Sequence, residues 1–454
     1  MTPTDVVVIG AGCAGLSAAV RLAEAGRSVV VAEEAPRLGG RATAFTDKDT
    51  GERVDNGQHA LFGCYRATYD LLTTIGTADL APLQPRLSVT MADGDGHAFA
   101  LRCPGLPPPW HLLAGILRWP ALTMGDRWSA LGLRSLLNDT RRYGAAEVAA
   151  RVPASETVSA WLKARGQSPR LCAWLWHPLA IAALNQSPDV AAAAPFVRVL
   201  AEMFGPRVED SSIGLPSVPL DELFGTAART FIEARGGRVL TKSPARVIVD
   251  GRGAIDHVRA GGESIPTRAV VAAVPWHAVD RLWDTGVPEA VADIAANARA
   301  MHSAPIVTVN VWLDGPLDGA QFVGLVDRPM HWIFDKRAIF DADAAHLSVV
   351  TSGADDIVRL DNAALTAMAM DEIRRAIPGA RRRALVRSVV VREHRATFSL
   401  APGEPPRPPN RTPLDGFYLA GDWTDTGLPA TIEGAVLSGR RAAEAVISSP
   451  KPRA

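Results

Sequence analysis

Near its start the chain reads Gly10-Ala11-Gly12-Cys13-Ala14-Gly15 and near its end Gly421-Asp422-Trp423-Thr424, two glycine-rich strings that together have the chemistry of a dinucleotide cradle. Gly10 permits a tight turn, Gly12 lets backbone approach a pyrophosphate, and Gly15 lets a helix pack closely on a strand. Ala14 falls in the first turn of that helix, whose free N–H groups suit phosphates. Eighteen residues past Gly15, Glu33 fits the acid that accepts hydrogen bonds from a ribose, with Glu34 beside it. An acid there favours a free 2′-hydroxyl over a 2′-phosphate. Gly39-Gly40-Arg41 adds a second glycine pair and a guanidinium to offset phosphate charge. That extension points to FAD rather than NAD, bound non-covalently. At the other end, Asp422 is placed to accept hydrogen bonds from a ribityl chain. Thr431-Ile432-Glu433-Gly434-Ala435 opens a helix whose positive end would face the flavin ring and stabilise the charge of its reduced form.

The elements that must position these residues are legible around them. Asp5 to Ile9 is a β-branched strand, Leu16 to Ala25 a helix, and Ser28 to Ala32 a second strand ending at Glu33. From Pro107 to about Phe204 the chain reads as mostly helical. An alternating pattern resumes near Leu220, with a helix to Arg235, strands near Val239 and at Val247 to Val249, and the apolar run Val270 to Val274. Strands Ile306 to Leu313, Leu347 to Thr351 and Leu385 to Val391 surround a helix from Asn362 to Ile377, as in a sheet covered by helices. A proline-rich loop, Pro402 to Pro413, leads to the strand Phe417 to Ala420, and the tail after Ser449 is expected to be disordered. The expected fold is α/β in two domains: a Rossmann-like FAD-binding domain from 1–75, 220–285 and 412–454, and a mixed-sheet and helical substrate domain from 76–219 and 286–411, its helical part at about 107–206.

Composition narrows the class. The 454 residues carry 48 Lys plus Arg and 48 Asp plus Glu, a zero formal charge that argues against a nucleic-acid partner. Cys13, Cys64, Cys103 and Cys172 lack metal-ligand spacing, so neither a metal nor a disulfide is expected. The cofactor strand begins by Asp5, and no apolar run is of spanning length, which predicts a protein that is cytosolic or peripheral on a membrane surface.

These motifs resemble the FAD-dependent amine oxidase and carotenoid desaturase superfamily along essentially the whole chain. The Gly10 string, Glu33, Gly39-Gly40-Arg41, Val271 to Pro275 and Gly421-Asp422 are its general features, with Val247 in a strand whose backbone is expected at the adenine side. Narrower strings resemble the squalene-associated desaturases, or hydroxysqualene dehydroxylases: Val54-Asp55-Asn56-Gly57-Gln58-His59, Trp176-His177-Pro178-Leu179 with Leu184-Asn185, Trp332 to Asp335, Arg395 to Phe398, and Asp422 to Thr431. The resemblance implies reductive loss of an allylic hydroxyl from hydroxysqualene, with hydride from reduced FAD, giving squalene and water on the way to hopanoids or other triterpenes.

That reaction needs a general acid and a long apolar cavity. By the same resemblance, Gly57 and Gln58 pass beside the isoalloxazine. His59 is an acid candidate, with Gln58 or Asn56 orienting the hydroxyl, though a histidine there serves equally to hold a loop. Glu393 is a second acid candidate if buried, against which its neighbours Arg392 and Arg395 argue. Trp176, His177, Leu184, Asn185, Trp312, Trp332 and Phe398 are candidate cavity residues. The stretch Trp110 to Trp119, apolar beside Arg118 and Arg127, suits a bilayer surface, and a helix packed on the second domain explains it nearly as well. No second nucleotide motif identifies the flavin's reductant. An amine oxidase, a phytoene-type desaturase and a non-catalytic isoprenoid carrier remain open alternatives.

Overall fold

Five apolar runs from distant parts of the chain meet in one parallel sheet, in the order Phe417–Leu419, Val270–Ala272, Val6–Ile9, Val29–Ala32, Arg238–Leu240. Such a sheet is covered on both faces, which is why its central strands read as uninterrupted valines. The computed structural model describes residues 4–449, so the tail after Ser449 lies outside the described residues. Helix Cys13–Glu24 follows the first strand and packs against the last helix, Ile432–Ser448, where the Ser17 hydroxyl donates to the Val436 carbonyl at 2.8 Å.

Between the strands Arg238–Leu240 and Val270–Ala272 the chain makes a separate antiparallel sheet of Ala245–Val249, Ile255–Ala260 and Glu263–Pro266. Their alternation is that of hairpin strands, and tight turns at Gly253 and Gly261-Gly262 keep them local.

The second body is a seven-stranded mixed sheet ordered Leu385–Phe398, Ser303–Leu313, His346–Ser352, Trp332–Asp335, Phe322–Leu325, Ser88–Ala92, Ala98–Arg102. The three strands expected here from sequence form one half of it. The other half draws on residues 88–102 and 322–335, whose strands are short and weakly patterned. Helix Asn362–Ala376, capped by the Asp361 carboxylate on the Ala364 N–H at 2.7 Å, packs across the two longest strands. Residues 110–203 form helices, including Trp110–Arg118, Arg134–Tyr143, a π turn at Cys172–Trp176 running into His177–Leu184, and Ala193–Met203.

Candidate active site

A cavity of about 540 Å³ opens where the parallel sheet, the seven-stranded sheet and helix His177–Leu184 meet. Its floor is the first glycine string. Gly10 has φ +98°, and a Cβ there would lie 2.5 Å from the Ala273 carbonyl oxygen, while a Cβ on Gly15 would lie 1.9 Å from the Gly10 oxygen. Gly10 and Gly15 are therefore fixed by turn and packing. Gly12 differs: its Cβ would meet nothing nearer than Gly40 Cα at 3.9 Å, so that space is free for a ligand. Helix Cys13–Glu24 has no side-chain cap, leaving its first N–H groups without helical partners at the cavity wall. The Gly39 N–H donates to the Ala11 carbonyl at 2.8 Å, which joins the two glycine segments.

The carboxylate of Glu33, at the end of strand Val29–Ala32, accepts the Ala11 N–H at 2.6 Å and the Ala35 N–H at 2.8 Å. Each oxygen keeps a lone pair for a ribose hydroxyl. Glu34, Gly39, Gly40, Arg41, Gly57, Gln58, Gly421 and Asp422 line the same cavity, as do Ala14, Thr431, Ile432 and Ala435. Arg41 and Asp422, separated by 381 residues, form an ion pair at 2.6 Å, and Arg41 also donates to the Ala396 carbonyl. Thr431 caps helix Ile432–Ser448 by accepting the Gly434 N–H at 3.1 Å, so the positive helix end lies at the cavity. Arg246, Arg281 and Arg395 also line it, and the buried His277 Nδ1 has no partner. Free helix N–H groups, guanidinium groups, a ribose-type acid and an orphaned nitrogen suit a flavin dinucleotide. All four cysteines are free thiols, and burial pushes Cys13 at the cavity up to about 12, so it stays protonated.

Other expected residues lie elsewhere. Gly15 acts by packing alone. Val247 is buried in the core, and the cavity is lined instead by Pro244, Ala245 and Arg246 just before it. Glu433 turns away from the cavity: its carboxylate accepts the Ala67 and Thr68 N–H groups at 3.0 and 2.9 Å and the Thr68 hydroxyl at 2.7 Å, capping helix Arg66–Ile75. Of the residues expected at a substrate cavity, only Asn185 lines this one. Its amide donates to the Ala304 carbonyl and Thr397 hydroxyl at 3.0 and 2.9 Å. Leu184 and Phe398 are core residues, Phe398 edge-on to Trp276. Trp312 stacks on His346 and donates to Glu52 at 2.8 Å. Trp332 packs with Phe322 and Phe334, and His177 belongs to neither cavity.

Among the catalytic candidates, Gln58, His59 and Glu393 all reach the cavity. His59 Nδ1 lies 2.8 Å from the Gly57 carbonyl, so that nitrogen carries the proton and donates. Burial lowers the His59 pKa below its ordinary value. A neutral imidazole whose Nε2 can only accept is a poor acid, which counts against the proton-donor role expected of it. Glu393, in strand Leu385–Phe398, accepts from Asn56 Nδ2 at 3.4 Å. Arg392 does not pair with it: that guanidinium donates to the Val358 and Leu360 carbonyls on another loop. Lys336 went unread in the sequence. Its buried ammonium donates to Asp55 Oδ2 at 2.8 Å and to Gln58 Oε1, tying the 55–60 segment to the seven-stranded sheet. Tyr65, also at the cavity, has its phenol pKa raised by burial.

A second cavity of about 300 Å³, largely apolar, lies among the helices; Trp110, Leu113, Trp176, Leu179 and Phe204 are in its wall. Trp110 in this wall is 59% exposed, as are Met124 and Trp128 on helix Met124–Ser129. Trp119, by contrast, is buried and donates to the Phe99 carbonyl at 3.3 Å. No helix among the described residues is long and apolar enough to cross a membrane.

Comparison with known proteins places this geometry. Residues 13–447 match the family described as flavin containing amine oxidoreductase. The chain is 31% identical over 454 residues to a hydroxysqualene dehydroxylase of Rhodopseudomonas palustris, with 98% of each chain covered. It is 27% identical over 465 residues to a 15-cis-phytoene desaturase of an Oncidium hybrid cultivar, covering 98% of this chain and 78% of that one. In fold it is similar to an oxidoreductase from Methanosarcina mazei, with TM-score 0.72, 19% identity, and 98% and 100% of the two chains covered. It is also similar to putrescine oxidase bound to putrescine, with TM-score 0.69, 18% identity, and 98% and 99% covered. With its glycine cradle, Glu33 and the Arg41–Asp422 pair at one cavity, the chain belongs to the flavin-containing amine oxidoreductase family and is an FAD-dependent oxidoreductase.

Proposed function

We propose that this protein reductively removes the allylic hydroxyl of hydroxysqualene, forming squalene and water. The observation that carries this reading is the end-to-end likeness to a hydroxysqualene dehydroxylase, 31% identical with 98% of both chains covered, against 27% for the phytoene desaturase. A bound reduced flavin would supply two electrons as hydride to the carbon, while the C–O bond breaks with its electrons on oxygen and a proton completes water.

The chain's own residues serve the oxygen. Neutral His59 accepts the substrate O–H through Nε2 and orients it, and Glu393 carries the proton to the departing oxygen. Glu393 is half-buried, so the proton for the departing oxygen is drawn from solvent. Asn56 holds the Glu393 carboxyl and Lys336 holds Gln58, fixing the wall on which the hydroxyl rests. The apolar second cavity suits hydrocarbon. Exposed Trp110, Arg134 and Arg141 at this cavity suit an anionic bilayer, where such a substrate resides. The reductant is a separate reductase or free reduced pyridine nucleotide.

The test is substrate competition under steady reduction or oxidation: hydroxysqualene, phytoene and a panel of primary amines offered to the purified holoprotein. Squalene as the product from hydroxysqualene alone supports the reading. Double bonds introduced into phytoene, or aldehyde formed from an amine, with hydroxysqualene untouched, would overturn it.

A further inference from the structure

We propose that the apolar cavity among the helices is a second substrate site, which holds the end of the isoprenoid chain remote from the reacting carbon, and that Leu179 governs passage into it. The inference rests on an isoprenoid substrate at the flavin cavity and assigns where the rest of that molecule goes.

One helix touches both cavities. Leu175, Trp176 and Leu179 line the apolar one, and Ala182 and Ala183 line the flavin one. Residues four apart share a helix face, one turn from each other, so Leu179 and Ala183 are neighbours along a single face. The two cavities are therefore consecutive along that face. On this helix Leu175, Trp176 and Leu179 give way to the methyl groups of Ala182 and Ala183, so Leu179 is the last large side chain that the helix itself sets at the apolar cavity before the flavin cavity begins. The helix is also locally widened here: Cys172–Trp176 is a π turn, and Pro178 has no N–H for the Trp174 carbonyl. Single π turns of this kind recur where a helix builds a site.

The chemistry of the second cavity selects its occupant. Its only charged lining residues, Arg134 and Arg141, are exposed and so stand at the mouth, while Leu101, Leu133, Leu200 and Met203 in its wall are buried. An interior without polar partners rejects sugars, phosphates and amines, which would lose their hydration, and accepts hydrocarbon. At about 30 Å³ for a group of water's size, 300 Å³ holds at least about ten carbons, or two isoprene units. The flavin cavity, largely committed to its cofactor, needs such an annex for a thirty-carbon chain.

The test measures binding of radiolabelled squalene to the holoprotein by equilibrium dialysis, beside a homologue shortened at one end by two isoprene units. Leu179→Trp, which blocks the passage, and Leu113→Trp, which fills the far wall, are each expected to weaken squalene binding about tenfold or more relative to the short homologue. Flavin content is read in the same samples, since a misfolded variant loses both. If wild type shows no saturable squalene binding, or prefers it no more than the short homologue, the site is overturned. Equal affinities in both variants and wild type would overturn it too. Because binding is read without turnover, failure of the dehydroxylation reading shows separately, as a protein that binds squalene and makes none.

Discussion

The floor and the far wall of the flavin cavity are built on different principles. The floor is backbone: glycines that exclude side chains, a helix start with free N–H groups, and one acid, Glu33, that itself grips backbone at Ala11 and Ala35. The far wall is side chains held by other side chains: Asn56 on Glu393, and Lys336 on Asp55 and Gln58. A backbone floor fixes a cofactor common to many reactions, whereas a side-chain wall can be exchanged without disturbing it. This contrast explains how one fold serves putrescine oxidation in one similar structure and hydroxysqualene in one similar sequence.

The contrast can be broken at its strongest point. Gly15→Val puts atoms within 1.9 Å of the Gly10 carbonyl and is expected to yield no folded, yellow protein, as read by circular dichroism and flavin absorbance. On the wall side, Lys336→Met strands the Asp55 carboxylate, whose side chain is only 6% exposed, and is expected to cost about 3–5 kcal/mol by denaturant titration. Lys336→Met with Asp55→Asn should recover much of that loss, since neither member is then a lone charge. If the single variant is as stable as wild type, the wall does not depend on this pair.

A milder substitution separates floor from fold. Gly12→Ala meets nothing nearer than 3.9 Å within the protein, so the apoprotein should keep its Tm. Its methyl group enters the space at the helix start, and FAD affinity is expected to fall about tenfold, or ~1.4 kcal/mol, in a fluorescence titration.

A more gradual effect concerns pH. Burial holds His331 at about 4, and burial with the nearby Lys336 ammonium holds His346 at about 3, while both would titrate near 6.5 in the unfolded chain. Between those values the unfolded state binds more protons, so stability is full above about pH 6.5 and falls as pH drops toward 4. Scanning calorimetry from pH 7.5 to 5 should show Tm declining gradually, a little less steeply in His346→Gln.

The same contrast governs what was legible in the sequence. The floor depends on residues whose spacing is local: Gly10 to Gly15, Glu33 a strand later, Gly39 to Arg41. The Arg41–Asp422 pair is distant in sequence, yet both ends announce themselves by glycine motifs. The wall offers no such signal. Lys336 and Asp55 are 281 residues apart, and nothing near either residue marks the pairing. Glu433 sits in a helix start that does face the cavity, but its side chain caps helix Arg66–Ile75, a contact set by packing. Val247 is expected at the adenine side by its backbone; its side chain is buried, and Ala245 and Arg246 of the same strand line the cavity. Trp312, Trp332 and Phe398 pack away from the cavities, since large aromatic residues fill cores as readily as they line cavities, whereas Trp176 lines the apolar one. The strands at 88–102 are weakly alternating; they form a hairpin that joins the seven-stranded sheet through Phe322–Leu325, a distant partner.

The central claim is the direction of hydride movement, and an anaerobic single turnover tests it most directly. Holoprotein with its flavin reduced is mixed with hydroxysqualene, and the flavin spectrum is followed while extracted squalene is quantified. The expected result is return of the oxidised-flavin spectrum with squalene equal in moles to flavin. A reduced spectrum that persists, in protein whose oxidised flavin is instead bleached by phoytene's class of polyene precursor or by an amine, would contradict it.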